Sequence, residues 1–474
     1  MAGKLGGLAK AAGYIVDEVG DAVMPYVDDA ISAVEDFARG PRGPSREIDR
    51  IPSRLPGTKS PIDDPLDRTL TIDREAAVRA PEVYEHNVRR LTDIPGLGHL
   101  SDAADVAEIE GEAMKHFEDN LQFLIDITPA GKVARNREWY VGANNFAHTL
   151  ADRYGLDHRS VAGTIAALSP QKDWYQNASL AERMADINFQ KSDVVTSNDM
   201  LDFGMNNLKK QEQIDVLSDI AGKRLSDLDT DLERAVWIRL YDEVHNPKHY
   251  REFTPDGMLG DFVKKGDGTD RKVSWGSFNE IIKADKALRS GGDLDTLSNL
   301  MGTKHKVRSF FNNNADPFSP YDDVTGDTHQ VAGNTLMPYS GNSGPVQQNF
   351  GTASFGTAGK PDNWVPAKSA NPLGVHGTYP FHADAVRNVA RRNNLMGREG
   401  QSVTWETIRE MFPAADKNPE FMNRVANIWR SVERGEINAG EARNRIARIA
   451  RRPSPLGEGG RGVELLDPKE ASTY

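Results

Sequence analysis

The stretch DAADVAEIEGEAMKHFEDNLQFLIDI, residues 102–127, sets the fold class. Val106, Ile109, Met114, Phe117, Leu121, Leu124 and Ile125 form an apolar stripe at the steps of an α-helix that buries one face. Acidic residues fill the other face, and Thr128-Pro129 stops the run.

The same period recurs on either side. Trp139, Val141, Phe146, Leu150 and Tyr154 predict a second helix. A third begins near Asp157-His158-Arg159-Ser160, continues through Val161, Ile165 and Leu168, and ends at Pro170. Further helices are expected at 174–187, 197–220, 229–243, 274–289 and 293–313, with few strands. From Phe381 the pattern returns through Val386, Val389, Trp405, Ile408, Met411, Phe421, Val425, Ile428 and Trp429. The fold class read from these runs is mainly α.

Toward the N-terminus, Leu8, Ala12, Ile15, Val19, Val23, Val27, Ala30, Val34 and Ala38 predict an amphipathic arm over 1–40. Its other face carries Asp17, Glu18, Asp21, Asp28, Asp29, Glu35 and Asp36, which suits a protein partner better than anionic lipid. Packing on its own domain is the alternative. Pro41, Pro44, Pro52, Pro56, Pro61 and Pro65 then mark a Pro-rich linker, placed at 41–100. The expected helical body runs over 101–337 and resumes over 381–452 as a basic C-terminal part. A Gly/Asn-rich loop at 338–380 separates the two, and 453–474 is expected to be a flexible tail.

The 474 residues carry a net charge of -12 and no cysteine. Disulfides, thiolate metal sites and cysteine nucleophiles are therefore excluded. The acidic balance opposes attraction of nucleic acid to the whole surface, so any DNA contact must be local. Residues 380–452, with 14 Lys or Arg against 9 Asp or Glu, offer the place for it, chiefly 387–452. A solvated helix end explains the same arginines. No apolar run approaches the roughly 20 residues of a membrane span, and no secretion signal opens the chain. A Gly-rich phosphate loop, a His-Glu-x-x-His helix and a Gly-x-Ser-x-Gly elbow are all missing.

The run Thr325-Gly326-Asp327-Thr328-His329 places an acid beside a proton carrier, after a glycine that admits close backbone approach. Asp327 or Thr328 also suits the cap of a helix running on through Val331 and Ala332. Three blocks accompany it: Ala166-Ala167-Leu168-Ser169-Pro170-Gln171 with Trp174, Asn177 and Ala181; Lys306-Val307-Arg308-Ser309-Phe310-Phe311-Asn312-Asn313; and Tyr379-Pro380 with Gln401-Ser402-Val403-Thr404-Trp405-Glu406. In this order they resemble an uncharacterised phage-encoded helical family that is distantly similar to helix-hairpin-helix DNA glycosylases. The resemblance covers about residues 139–430.

The resemblance implies a glycosylase-like central body in which Asp327 is the acid that assists loss of the base, with His329 following it. It makes Leu300-Met301-Gly302-Thr303-Lys304 the nearest equivalent of the phosphate-gripping hairpin, although Lys304 stands where the second glycine belongs. Lys304 and Lys306, 23 and 21 residues before Asp327, are candidate nucleophiles or phosphate contacts, or simple surface lysines. Gln171, Trp174 and Asn177 either anchor a turn between helices or form a pocket wall. No cofactor is implied. His376, His382 and Asp384 have no spacing that marks a metal site.

The function this implies is that of a virion-associated structural protein of internal or ejection type, built on a glycosylase-like scaffold. It would be located in the virion or the host cytoplasm and meet other virion proteins through the arm. The alternatives are a DNA-acting glycosylase or lyase using Asp327 and a DNA-binding module without chemistry.

Overall fold

The computed structural model describes residues 71–72, 81–253, 259–265, 268–302, 305–350, 377–413 and 416–450. The arm at 1–40, the loop residues 351–376, the tail at 453–474, Lys304 and His376 lie outside them. The mainly α expectation holds.

In chain order the helices are α1 (Pro81–Arg90), α2 (Val106–Asp126), α3 (Ala130–Asn136), α4 (Trp139–Tyr154), α5 (His158–Leu168), α6 (Trp174–Gln190), α7 (Asn198–Asn207), α8 (Gln211–Ile220) and α9 (Asp231–His245). Two short antiparallel strands follow, β1 (Arg251–Phe253) and β2 (Leu259–Phe262), with Arg251 opposite Phe262 and Phe253 opposite Leu259. Then come α10 (Phe278–Leu288), α11 (Leu294–Met301), α12 (His305–Ala315), α13 (Thr328–Thr335), α14 (Gly344–Asn349), α15 (Tyr379–Arg392), α16 (Gly397–Met411), α17 (Pro419–Glu433) and α18 (Ala439–Ala450).

The chain forms two compact units. The first contains Val141–Gly302 and Phe311–Phe318; the second lies within Lys59–Tyr140, Thr303–Phe310 and Ser319–Tyr474. The expected body at 101–337 thus has residues in both units, with a boundary after Tyr140. The apolar stripe of α2 is buried with Val88, Leu91, Ile94, Leu97 and Leu100 and with residues beyond 320.

In the first unit α5 is buried along its length from Ser160 to Leu168. Gly163 lets its neighbours approach, because a Cβ there would lie 2.6 Å from Leu297 Cδ2 and 3.2 Å from Ala287 Cβ. Two buried ion pairs fasten the surrounding helices. Arg183 meets Asp242 at 2.8 Å, with the Trp275 indole donating to the other Asp242 oxygen, and Arg234 forks onto Asp285 at 2.9 and 3.0 Å.

The helix expected over 197–220 is two helices. Leu208 is extended between them, and Gly204 lies close enough to Leu217 for α7 and α8 to fold back on each other. The helix expected over 293–313 is also two, since Gly302 takes a φ of 62° at the end of α11.

The second unit is built around α2, whose Leu124 and Leu121 lie close to Gly333 of α13. Its core joins Leu124, Val331, Val346, Ile408, Val425, Trp429 and Ile446. Most of the expected Pro-rich linker at 41–100 lies outside the described residues, and its last part, 81–100, is helix and packed turn. Pro81 occupies the first turn of α1, where it lacks only a hydrogen bond no helix would make, and Val88, Leu91, Ile94, Leu97 and Leu100 are buried. Likewise, part of the loop expected over 338–380 is packed. Pro345 sits in the first turn of α14, and Tyr339, Val346 and Asn349 are buried.

Candidate functional site

Asp327 occupies the N-cap of α13 with extended backbone. Its Oδ1 accepts the amide N–H groups of His329 at 2.9 Å and Gln330 at 3.1 Å, filling two of the vacancies every helix start leaves. The approach to the cap is fixed from α15. The Tyr379 phenol donates to the Val324 carbonyl and accepts the Gly326 N–H, both at 2.8 Å. Glycine at 326 suits this close approach, since a Cβ would stand 3.3 Å from the Tyr379 ring.

A second layer of contacts comes from α16 and the start of α17. The Trp405 indole N–H donates to both carboxylate oxygens of Asp327, at 3.1 and 3.0 Å. His329 Nδ1 stands 3.6 Å from Asp327 Oδ2, while its Nε2 lies 2.9 Å from Lys417 Nζ. The His329 ring packs edge-on to Trp405 with centroids 5.6 Å apart.

The indole of Trp405 is itself in contact with charge and with the edge of another ring. The Arg409 guanidinium lies 4.1 Å from its centroid and Trp139 lies 6.3 Å away, with Tyr140 and Phe310 beyond Trp139. Glu406, one residue along α16, is buried; desolvation pushes its carboxyl up, against the opposing pull of Arg409.

Burial would likewise raise the Asp327 carboxyl. The hydrogen bond and charge of His329, the Lys306 ammonium and the Trp405 indole outweigh it and hold the group well below the usual carboxylate range. Asp327 is thus an ionised carboxylate, and its side chain remains 20% exposed. It caps a helix and still faces solvent.

Of the residues expected in the site, Asp327, His329 and Lys306 come together. Gln171, Trp174 and Asn177 belong to the first unit, where Asp173 caps α6, Trp174 packs edge-on to Phe146, Asn177 is buried, and Gln171 takes a left-handed φ of 58°. His382 is stacked on Phe117 at 4.6 Å and Asp384 pairs with Arg387 at 2.7 Å. No group of three His, Asp or Glu side chains suited to a metal occurs among the described residues.

The expected DNA-contacting arginines divide. Arg387 is buried against Asp384 and the Asp322 carbonyl, and Arg443 turns inward to Asn120 and Asp119, so neither is a free surface cation; Arg445 and Arg448 are exposed. Trp405, Arg409 and Lys417 were not among the expected site residues. Trp405 stood in one of the matching blocks, but nothing in the spacing of Lys417 points to His329.

Residues 104–221 match the model of a family of unknown function, DUF7178. A search of curated proteins and a search of solved structures each returned no match. No helix among the described residues is long and apolar enough to cross a membrane.

Proposed function

We propose that the second unit carries a nucleic-acid site of DNA-glycosylase type, in which Asp327 stabilises the positive charge that grows on a sugar as its base departs. The observation that carries this reading is the state of the carboxylate: ionised, yet still in contact with solvent beside the Trp405 indole.

A carboxyl with so low an affinity for protons is a poor general base, since proton transfer is most effective when the pKa lies near the working pH. It is well suited to an electrostatic role, where a fixed negative charge is needed from the start. Trp405 and Trp139 offer aromatic surface of the kind against which an extruded base stacks. Lys306, Lys417 and Arg409 supply local positive charge in a chain whose net charge is -12, as contact with a phosphate backbone requires.

The test is base release from duplex DNA carrying damaged or modified bases. Asparagine retains a capping oxygen, so Asp327→Asn preserves the fold and abolishes release. Equal release by the wild type and the variant removes Asp327 from the mechanism.

A second reading is a virion-associated scaffold, with partners among other virion proteins. It is favoured by the three N–H donors that already surround Asp327, which account for an acid at this position without chemistry. Abundance of the polypeptide in purified particles, together with no release from any substrate, would select it.

A further inference from the structure

Helix α13, which Asp327 caps, is eight residues long, too short to keep its shape or its place without ties to its surroundings. Its first end is tied to Trp405 through Asp327 and to Tyr379 through Gly326. Its far end closes against preference. Leu336, the residue that follows it, takes a left-handed φ of 49°, where glycine is the usual residue.

Asn334 holds that end, and it is fully buried. Its side chain donates to the His382 carbonyl of α15 at 3.0 Å and accepts from the Gln330 side chain at 2.8 Å. Its own carbonyl, one of those a helix end leaves without an amide, accepts from the Asn120 side chain of α2 at 2.9 Å. Asn120 is buried too, and its oxygen accepts the Nε–H of Arg443, on α18, at 2.8 Å. Arg443 Nη2 lies 3.3 Å from Asp119 Oδ2 at the surface.

The line continues to the acid. Gln330, bonded to Asn334 by its side chain, donates its backbone N–H to Asp327 Oδ1 at 3.1 Å. Tyr379 and His382 are three residues apart on α15, so both ends of α13 are set against the same helix. A cation behind Asn120 strengthens the donation to Asn334, because hydrogen bonds in sequence polarise one another. It also sets positive charge on the carbonyl side of α13, the side that favours it.

We infer that Arg443 is a positioning residue for Asp327, acting from α18 through Asn120 and Asn334 on the far end of α13. An arginine that composition assigns to a solvated basic helix end thereby becomes part of the site. The inference rests on the reading of Asp327 as the functional carboxylate, but its test does not use base release, so failure of one is distinguishable from failure of the other.

The indole N–H resonances of the full chain, carrying isotopically labelled tryptophan, provide that test, with the Trp405 signal assigned by Trp405→Phe. Arg443→Met keeps most of the apolar stem and removes the donors. It is expected to move the Trp405 signal and to speed hydrogen exchange over 327–335 by about tenfold or more. Asn120→Ala gives the same changes, and the two substitutions together give no more than either alone, as residues acting in one line require. Val425→Ala, a buried truncation in α17, lowers the thermal midpoint without moving the signal. If the methionine variant loses its cooperative transition, Arg443→Gln, shorter and uncharged, is read by the same criteria. An unmoved signal in the folded Arg443 variant, an equal shift from Val425→Ala, or additive effects of the Arg443 and Asn120 substitutions overturns the inference.

Discussion

Replacing Asp327 by alanine and by asparagine separates the carboxylate's structural work from its charge. Alanine strips the cap from the His329 and Gln330 amides, a loss of about 1 kcal/mol for a typical N-cap. It also leaves the Trp405 indole N–H without its acceptor, which adds about 1–3 kcal/mol for a mostly buried donor. The expected total is about 2–4 kcal/mol. Asparagine keeps Oδ1 as the acceptor for the cap and for the indole N–H, and loses only the Oδ2 contact, where its own NH2 now faces the indole, so its cost should stay below that of alanine, near about 1 kcal/mol. Urea unfolding followed by far-ultraviolet circular dichroism measures both, and hydrogen exchange over 325–335 localises the effect to the start of α13. Equal destabilisation by the two substitutions, or an alanine variant as stable as the wild type, would refute the account of Asp327 as a cap held from α16.

His116, His305 and His382 are buried in the second unit, and desolvation lowers each to about 3, aided by nearby positive charge at His116 and His305. Their unfolded value is near 6.5, so the stability they contribute is complete above that pH and falls as the pH drops toward 3, by up to about 1.4 kcal/mol per pH unit for each. Chemical denaturation between pH 7 and 4 should show this slope, and His382→Phe should reduce it by one proton; an unchanged slope in the variant would count against the assignment. The Asp327 carboxyl is also lowered, so its contribution is present above about pH 4 and lost below. The stability difference between wild type and Asp327→Asn should therefore be constant from pH 5 to 8 and shrink in stronger acid, and a difference that grows on acidification would reverse the sign. Gly163→Ala should cost about 1–3 kcal/mol, because the new methyl meets Leu297 at 2.6 Å; a thermal midpoint equal to the wild type would show that α5, α10 and α11 repack freely.

The helices were legible where periodicity and caps agreed. The stripe from Val106 to Ile125 with Asp105 before it gives α2, and Asp157 before Val161, Ile165 and Leu168 gives α5. Breaks that depend on tertiary contact were not. Leu208 interrupts a continuous pattern only because α7 and α8 pack together, a contact Gly204 and Leu217 make possible. Prolines misled in the other direction. Pro81 and Pro95 looked like more linker, yet one begins a helix and the other precedes a buried turn.

In the site, Thr325-Gly326-Asp327-Thr328-His329 announced the acid and its helix start within five residues. Its surroundings were hidden by distance along the chain. Trp405 lies 78 residues beyond Asp327, and Lys417 lies 88 beyond His329. Neither pairing leaves a local pattern.

That distance has a bearing on biosynthesis. The Tyr379 phenol that frames Gly326 and the indole that holds Asp327 both lie well downstream of the acid. A nascent chain that has just exposed residue 327 carries the acid but none of these partners, and translation must pass Lys417 before all of them exist. Fragments ending before Tyr379 therefore keep Asp327 in sequence while lacking everything from α15 to α17 that fixes its geometry and lends it part of its charge environment. The site is a late product of synthesis, completed only by the C-terminal part of the chain.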